Sequence, residues 1–178
     1  WPLYNALAST YLILGRSEAA LEPLAKSLTI TGDRQVSGNA LNLRGVAHRD
    51  LGLLQRSVED FDEAVRVYGF NYEVYNNRAL TYWFLGQPQK ALEDLDAIVV
   101  CAQTHPCSLP NQEPKFAEAY SNRGFVRRAQ GQPHLAIEDL DEAIRLNPEY
   151  VPAYNNRGLA YVDLGNLRRA IENYDEAI

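Results

Sequence analysis

Residues Ala117–Tyr150, AEAYSNRGFVRRAQGQPHLAIEDLDEAIRLNPEY, followed directly by Val151–Ile178, VPAYNNRGLAYVDLGNLRRAIENYDEAI, decide the fold. The two stretches match at an offset of 34 residues, with glycines at Gly131 and Gly165 in register. Extending that register to Gly15, Gly52 and Gly86 gives five units starting at Trp1, Gly38, Tyr72, Ala117 and Val151. The offsets are 37, 34, 45 and 34, so 34 is the period and the first and third units carry 3 and 11 extra residues. Self-similarity at such a period marks a solenoid, in which each unit buries its apolar face against its neighbours.

Within Ala117–Tyr150, small and apolar residues recur at helical spacing on both sides of Gly131: Ala119, Tyr120 and Gly124 before it, Ala136, Ile137, Leu140, Ala143 and Ile144 after it. The pattern predicts two helices joined by a turn. Glycine tolerates the left-handed conformation that closes a helix, so Gly131 is expected at the first helix's end. Asn147-Pro148 is expected to open the next unit, with the proline in a helical first turn. Small residues at the eighth position (Ala8, Gly45, Ala79, Gly124, Gly158) are expected to face small ones at the twentieth (Ala20, Ser57, Ala91, Ala136, Ala170), where two helices approach closely. Large residues at positions 4 and 24, such as Leu41 with Phe61 and Tyr154 with Tyr174, supply the packing between.

These residues closely resemble the tetratricopeptide repeat, whose pattern is an aromatic at positions 4 and 11, small residues at 8, 20 and 27, and proline at 32. Tyr154, Gly158, Tyr161, Ala170 and Ala177 show it in the fifth unit, and Pro148 in the fourth. The resemblance implies an all-α fold, a right-handed α-solenoid of tandem helix-turn-helix repeats. It implies one array over 1–178, with repeats 1–37, 38–71, 72–116 (insertion about 101–116), 117–150 and a truncated 151–178.

Composition narrows the function classes. A net charge of −6 argues against nucleic acid or anionic lipid as a primary partner, since both need a basic face. No stretch is long and apolar enough to span a membrane. Methionine is absent, even at position 1, and Ile178 falls where the repeat expects a helix to continue, so a fragment is expected and a cytoplasmic location is only the default. The two cysteines, Cys101 and Cys107, lie in the largest insertion, where a bridge is geometrically open but free thiols are the commoner intracellular case. With His105 they form no standard zinc spacing, and Thr104–Pro114, holding three prolines, reads as a loop after a prolonged helix.

Two departures stand out against the family pattern. Four units carry arginine at position 7 (Arg44, Arg78, Arg123, Arg157), where leucine is usual and the first unit has Leu7. The same four carry aspartate at position 25 (Asp62, Asp96, Asp141, Asp175), where the first unit has Ala25. A charge on a buried helix face needs a partner, so bidentate pairs between position 7 and position 25 are expected, within a repeat or across adjacent ones. Asp60, Asp94 and Asp139 at position 23 compete for this role, but Asn173 breaks that series; binding of an anionic ligand is the functional alternative. The second departure is Ile98, bulky at position 27, which is expected to loosen or redirect the contact with the fourth unit.

The resemblance also places function. In the family the first helix of each unit lines a concave face, and ligands contact positions 2, 5, 6, 9, 12 and 13. Carried over, position 6 holds Asn77, Asn122 and Asn156, and position 5 holds Asn42, Asn76 and Asn155, while Ala6 and Leu43 interrupt the row earlier. An amide donates and accepts at once, so a row of them is suited to reading peptide backbone. This resembles the asparagine ladder of tetratricopeptide domains that hold extended peptides, as in O-linked N-acetylglucosamine transferases; polar residues on a solvated surface are the alternative. Arg49, Trp83, Phe84 and Arg128 at positions 12 and 13 are expected to set side-chain preference, with the two aromatics as anchors. No catalytic motif, metal set or cofactor site is expected, and His48, His105 and His134 fall in separate units. The expected function is therefore a protein-interaction scaffold holding an extended peptide or partner helix, not an enzyme. Its alternatives are the substrate-recruiting or regulatory arm of a larger enzyme and a module that self-assembles through the uncapped C-terminal repeat near Tyr174 and Ile178. Replacing Asn77, Asn122 and Asn156 by alanine is expected to leave stability nearly unchanged.

Overall fold

A computed structural model of the chain describes residues 2–30, 32–104 and 113–178. Among them the fold is all-α: α1 (Pro2–Ile13), α2 (Ser17–Ile30), α3 (Arg34–Asp50), α4 (Leu54–Tyr68), α5 (Tyr72–Phe84), α6 (Pro88–Gln103), α7 (Glu113–Ala129), α8 (Pro133–Leu146), α9 (Val151–Asp163) and α10 (Leu167–Glu176). They form two compact units, Trp1–Gln87 and Pro88–Ile178. In each, consecutive helices pack as hairpins and each hairpin packs on the next, the arrangement of a helical-repeat solenoid. No helix among the described residues is long and apolar enough to cross a membrane.

The turns follow from the glycines. Gly131 has φ +76°, and its N–H donates to the Arg128 carbonyl at 2.9 Å while the Gln132 N–H reaches Arg127 at 3.0 Å. That is the double bond set of a left-handed helix stop. Pro148, by contrast, lies in the turn before α9, and the proline in the first turn of that helix is Pro152.

The insertions go into first helices. α3 and α7 each have 17 residues, against 13 in α5 and α9, because the segments 34–37 and 113–116 are helical. Asp33 caps α3 through the Gln35 and Val36 N–H groups at 2.7 and 3.2 Å. Around the second insertion α6 runs to Gln103 and α7 starts at Glu113, and residues 105–112, with His105 and Cys107, lie outside the described residues. Cys101 is disulfide-bonded, which corrects the expectation of a free thiol and leaves it no thiolate to offer a metal. That expectation rested on compartment statistics, which say nothing about an individual cysteine. Ile98 is fully buried and Val99 nearly so; the longer α6 takes the bulk inward, and the Gln103 amide N–H bonds the Tyr120 hydroxyl at 3.3 Å.

The core is stitched at positions 8 and 24. A Cβ on Gly45 would lie 2.6 Å from the Phe61 ring, and one on Gly158 2.5 Å from the Tyr174 ring. At Gly124 it would meet Leu140 Cγ at 2.9 Å and the Ala136 carbonyl oxygen at 3.0 Å. Where leucine stands at position 24 of the first repeat, Leu24, the facing residue is Ala8, and both are fully buried. The small residue at position 8 therefore answers to position 24 as well as to position 20.

The position-7 arginines are held by acceptors on neighbouring helices. Arg123 donates to Asp139 in the following helix through Nε at 3.0 Å and Nη2 at 2.5 Å, and to Asp96 of the preceding helix through Nη1 at 2.7 Å. Arg157 repeats the pattern, with Asn173 at 2.6 Å and Asp141 at 2.5 Å. Arg78 reaches Asp62 at 2.7 Å, and Arg44 holds Asp60 at 2.5 Å. The position-25 aspartates thus pair across repeats, never within one, among the described contacts. The partner inside the repeat is position 23, the competing series, and Asn173 does not end it. The physical reason is plain: an amide oxygen accepts from a guanidinium as a carboxylate does, so Asn173 keeps the bond and drops only the charge. Position 11 joins the cluster, His48 Nδ1 lying 2.8 Å from Asp60 and Arg127 Nη1 2.9 Å from Asp139. With side chains only 11% to 30% exposed and carboxylates or amides in hand, these arginines are committed to packing rather than to an anionic ligand.

One alkaline transition follows from unit 88–178. Burial, with Glu118 adding repulsion, pushes the Tyr150 hydroxyl from 10 up to about 12. Between those values the unfolded chain has released the proton and the folded chain has kept it, so stability falls as pH rises. Urea melts of the native chain and Tyr150→Phe across this range are expected to show the slope reduced in the variant.

Candidate functional site

The first helices of successive repeats touch, α1 with α3, α3 with α5, and α7 with α9, and the asparagines lie along these seams. Helical periodicity puts positions 5 and 6 next to each other on the helix, one turned toward the next repeat and one toward the previous. Asn42, at 7% exposure, accepts through Oδ1 from Asn77 Nδ2 at 3.1 Å. Asn77 Oδ1 in turn accepts from Arg49 Nη1 at 3.3 Å. In the second unit Asn156 Nδ2 donates to Ser121 Oγ at 3.4 Å, which places position 6 of one repeat on position 5 of the one before. Asn76 is buried, Asn122 half-buried and Asn155 exposed.

These bonds change the meaning of the row. An amide offers two N–H groups and two lone pairs. Asn77 spends one of each inside the protein and keeps one of each; Asn156 spends one N–H and keeps its oxygen. Both are half-buried rather than hidden. Stripping Asn77 to alanine leaves the buried Asn42 oxygen unpaired, a loss of about 1–3 kcal/mol, so the expectation of an unchanged melt fails for that residue. The cross-repeat pair was not legible because its members are 35 residues apart.

The flanking residues separate into two kinds. Arg49 is tied to Asn77 and lies 3.8 Å from Asp50, and Arg128 Nη1 lies 3.6 Å from Asp163. Both act first as struts between neighbouring repeats. Trp83 is half-buried, whereas Phe84 is 61% exposed. With Arg49, Asp50, Leu54 and Leu80, Phe84 lines a recess of about 610 Å³. A second recess, of about 360 Å³, opens between α1 and α3 beside Asn5, a position-5 amide the sequence reading passed over. The signal was available, since Asn5 stands in register with Asn42 and Asn76.

Comparison with known proteins agrees with this architecture. Tetratricopeptide repeat models match residues 2–34 and 42–106, and a TPR repeat model matches 126–165, between them more than half of the chain. No curated protein matches the sequence. Among solved structures, MamA 41-end from Desulfovibrio magneticus RS-1 is 23% identical, covering 99% of this chain and 92% of its own, with a TM-score of 0.75. A pilF protein of Pseudomonas aeruginosa is 21% identical over 99% of this chain and 74% of its own, with a TM-score of 0.83. YrrB, described as a TPR protein with an unusual peptide-binding site, is 21% identical over 98% of this chain and 83% of its own, with a TM-score of 0.66. At these identities the likeness is one of fold.

Proposed function

Because this chain belongs to the tetratricopeptide repeat family, we propose that it is a non-catalytic protein-interaction scaffold whose first helices hold an extended peptide by its backbone. The observation that carries the reading is the residual capacity of Asn77 and Asn156: each is fixed in place by a neighbouring repeat and keeps polar atoms to spare. Anchored amides lose little rotamer freedom on binding, so their hydrogen bonds are formed at low entropic cost. Phe84, exposed over its recess, supplies an apolar contact for one side chain of the same ligand.

Asn156→Ala is the cleanest test, because its internal bond is long and its removal strands only a hydroxyl that can rotate. A peptide selected from a random displayed library against the native chain is expected to lose about 5- to 20-fold in affinity for Asn156→Ala, the weight of one or two backbone hydrogen bonds. Equal affinity for both forms, measured by calorimetry, sinks the reading.

A further inference from the structure

The row of amides breaks at Leu43, and the break strands one polar atom. Asn5 is 5% exposed, and its Nδ2 donates to the Val36 carbonyl oxygen at 3.0 Å. A carbonyl only accepts, so this bond fixes which end of the amide is nitrogen. Oδ1 then faces the other way, buried and with no protein partner. The register explains why. Asn42 Oδ1 receives Asn77 Nδ2, and Ser121 Oγ receives Asn156 Nδ2, so position 5 takes its donor from position 6 of the next repeat. For Asn5 that donor would come from residue 43, and leucine has none.

Asn5 is in the lining of a recess of about 360 Å³, with Ala6 and Ser9 of α1 and Gln35, Val36, Asn39 and Leu43 of α3. Val36 belongs to the extra turn that the three-residue insertion adds to α3, so this wall is supplied by the insertion. Its lining holds no ionisable side chain. Burying a cation without a counter-charge is strongly unfavourable, which excludes an ammonium and calls for a neutral donor, a role that a peptide N–H fills. At this volume, near the lower end of the range of about 300–1,000 Å³ for ligand pockets, there is room for one small residue. Ala6, Val36 and Leu43 present it an apolar floor.

We propose that the α1–α3 recess is a subsite for one neutral peptide unit, its N–H accepted by Asn5 Oδ1 and its alanine- or valine-sized side chain seated on Ala6, Val36 and Leu43. It rests on the reading of this helix face as peptide-holding, and adds a residue-level preference that the asparagine row does not have. The row reads any backbone; this recess selects a small uncharged residue.

The probe is N-acetyl-valine N-methylamide, titrated into the 15N-labelled chain. N-acetyl-N-methyl-valine N,N-dimethylamide serves as the control, which keeps the side chain and both carbonyls but has no N–H. The amide is expected to give saturable shifts at Ala6, Ser9, Asn39 and the Asn5 side-chain amide, and the control to bind at least about 10-fold more weakly. Ala6→Leu fills the recess from an exposed position without touching the Asn5–Val36 bond, and is expected to abolish the shifts; Leu43→Asn, which restores the internal donor, is expected to do the same. Equal binding of the two probes, undiminished binding to Ala6→Leu, or no shifts in the recess overturns the subsite. Shifts along Asn122 and Asn156 with none in the recess overturn it while the peptide-holding reading stands, whereas a library peptide indifferent to Asn156→Ala removes that reading itself.

Discussion

Asp139→Ala is expected to destabilise the chain by about 3–5 kcal/mol, the usual consequence of removing one partner from a buried ion pair. Asp139 is 3% exposed and receives Arg123 through two nitrogens and Arg127 through a third. Arg123 is itself only 11% exposed, so the substitution leaves a desolvated guanidinium with the half-exposed Asp96 as its remaining counter-ion. Two controls isolate the cause. Asp141→Ala removes the equally short bond to Arg157, but Asp141 is 55% exposed, and an exposed pair contributes about 0–1 kcal/mol. Asp139→Asn keeps an oxygen for Arg123, as Asn173 does for Arg157, and is expected to cost less than half as much as the alanine. Urea denaturation followed by circular dichroism checks all three. An alanine variant within about 1 kcal/mol of the native chain contradicts the account.

Gly45→Ala is the second large effect, and its sign is expected to depend on Phe61. Alanine in a helix is favoured over glycine by about 1 kcal/mol, so a position free of contacts would gain. Here the new Cβ would lie 2.6 and 2.8 Å from two atoms of a ring that is fully buried. Overpacking of this kind costs about 1–3 kcal/mol, enough to reverse the propensity gain. In the Phe61→Leu background the pair becomes the one the chain already uses at Ala8 and Leu24. There the same Gly45→Ala change is expected to stabilise by about 0.5–1 kcal/mol. A double-mutant cycle by thermal denaturation measures the coupling, and additive effects would show that ring and glycine are independent.

Particular elements show where reading from residues succeeded and where it stopped. The left-handed turns at Gly15, Gly52, Gly86, Gly131 and Gly165 all have φ between +67° and +76°, as a period marked by glycine requires. The destination of the two insertions was not legible, because nothing in segments 34–37 and 113–116 distinguishes a loop from one more helical turn until the neighbouring helix is there to bury it. The arginine clusters were half legible. Covariation of positions 7 and 25 pointed to a true pair, whereas position 23 was legible only as a competitor, since Asn173 interrupts its aspartates. The asparagine row was legible as a face and illegible as chemistry, since whether an amide is spent inside the protein depends on the residue opposite.

Sequence by itself determined the repeat, the helix stops and the alternation of small and large residues, because each is a local or periodic consequence of backbone conformation and side-chain size. Tertiary structure alone decided which carboxylate holds each arginine, which amides keep atoms to spare, and that Asn5 is left with an unpaired oxygen. Those outcomes are set by ångström-scale approach between residues 16 to 35 positions apart, which spacing along the chain does not specify.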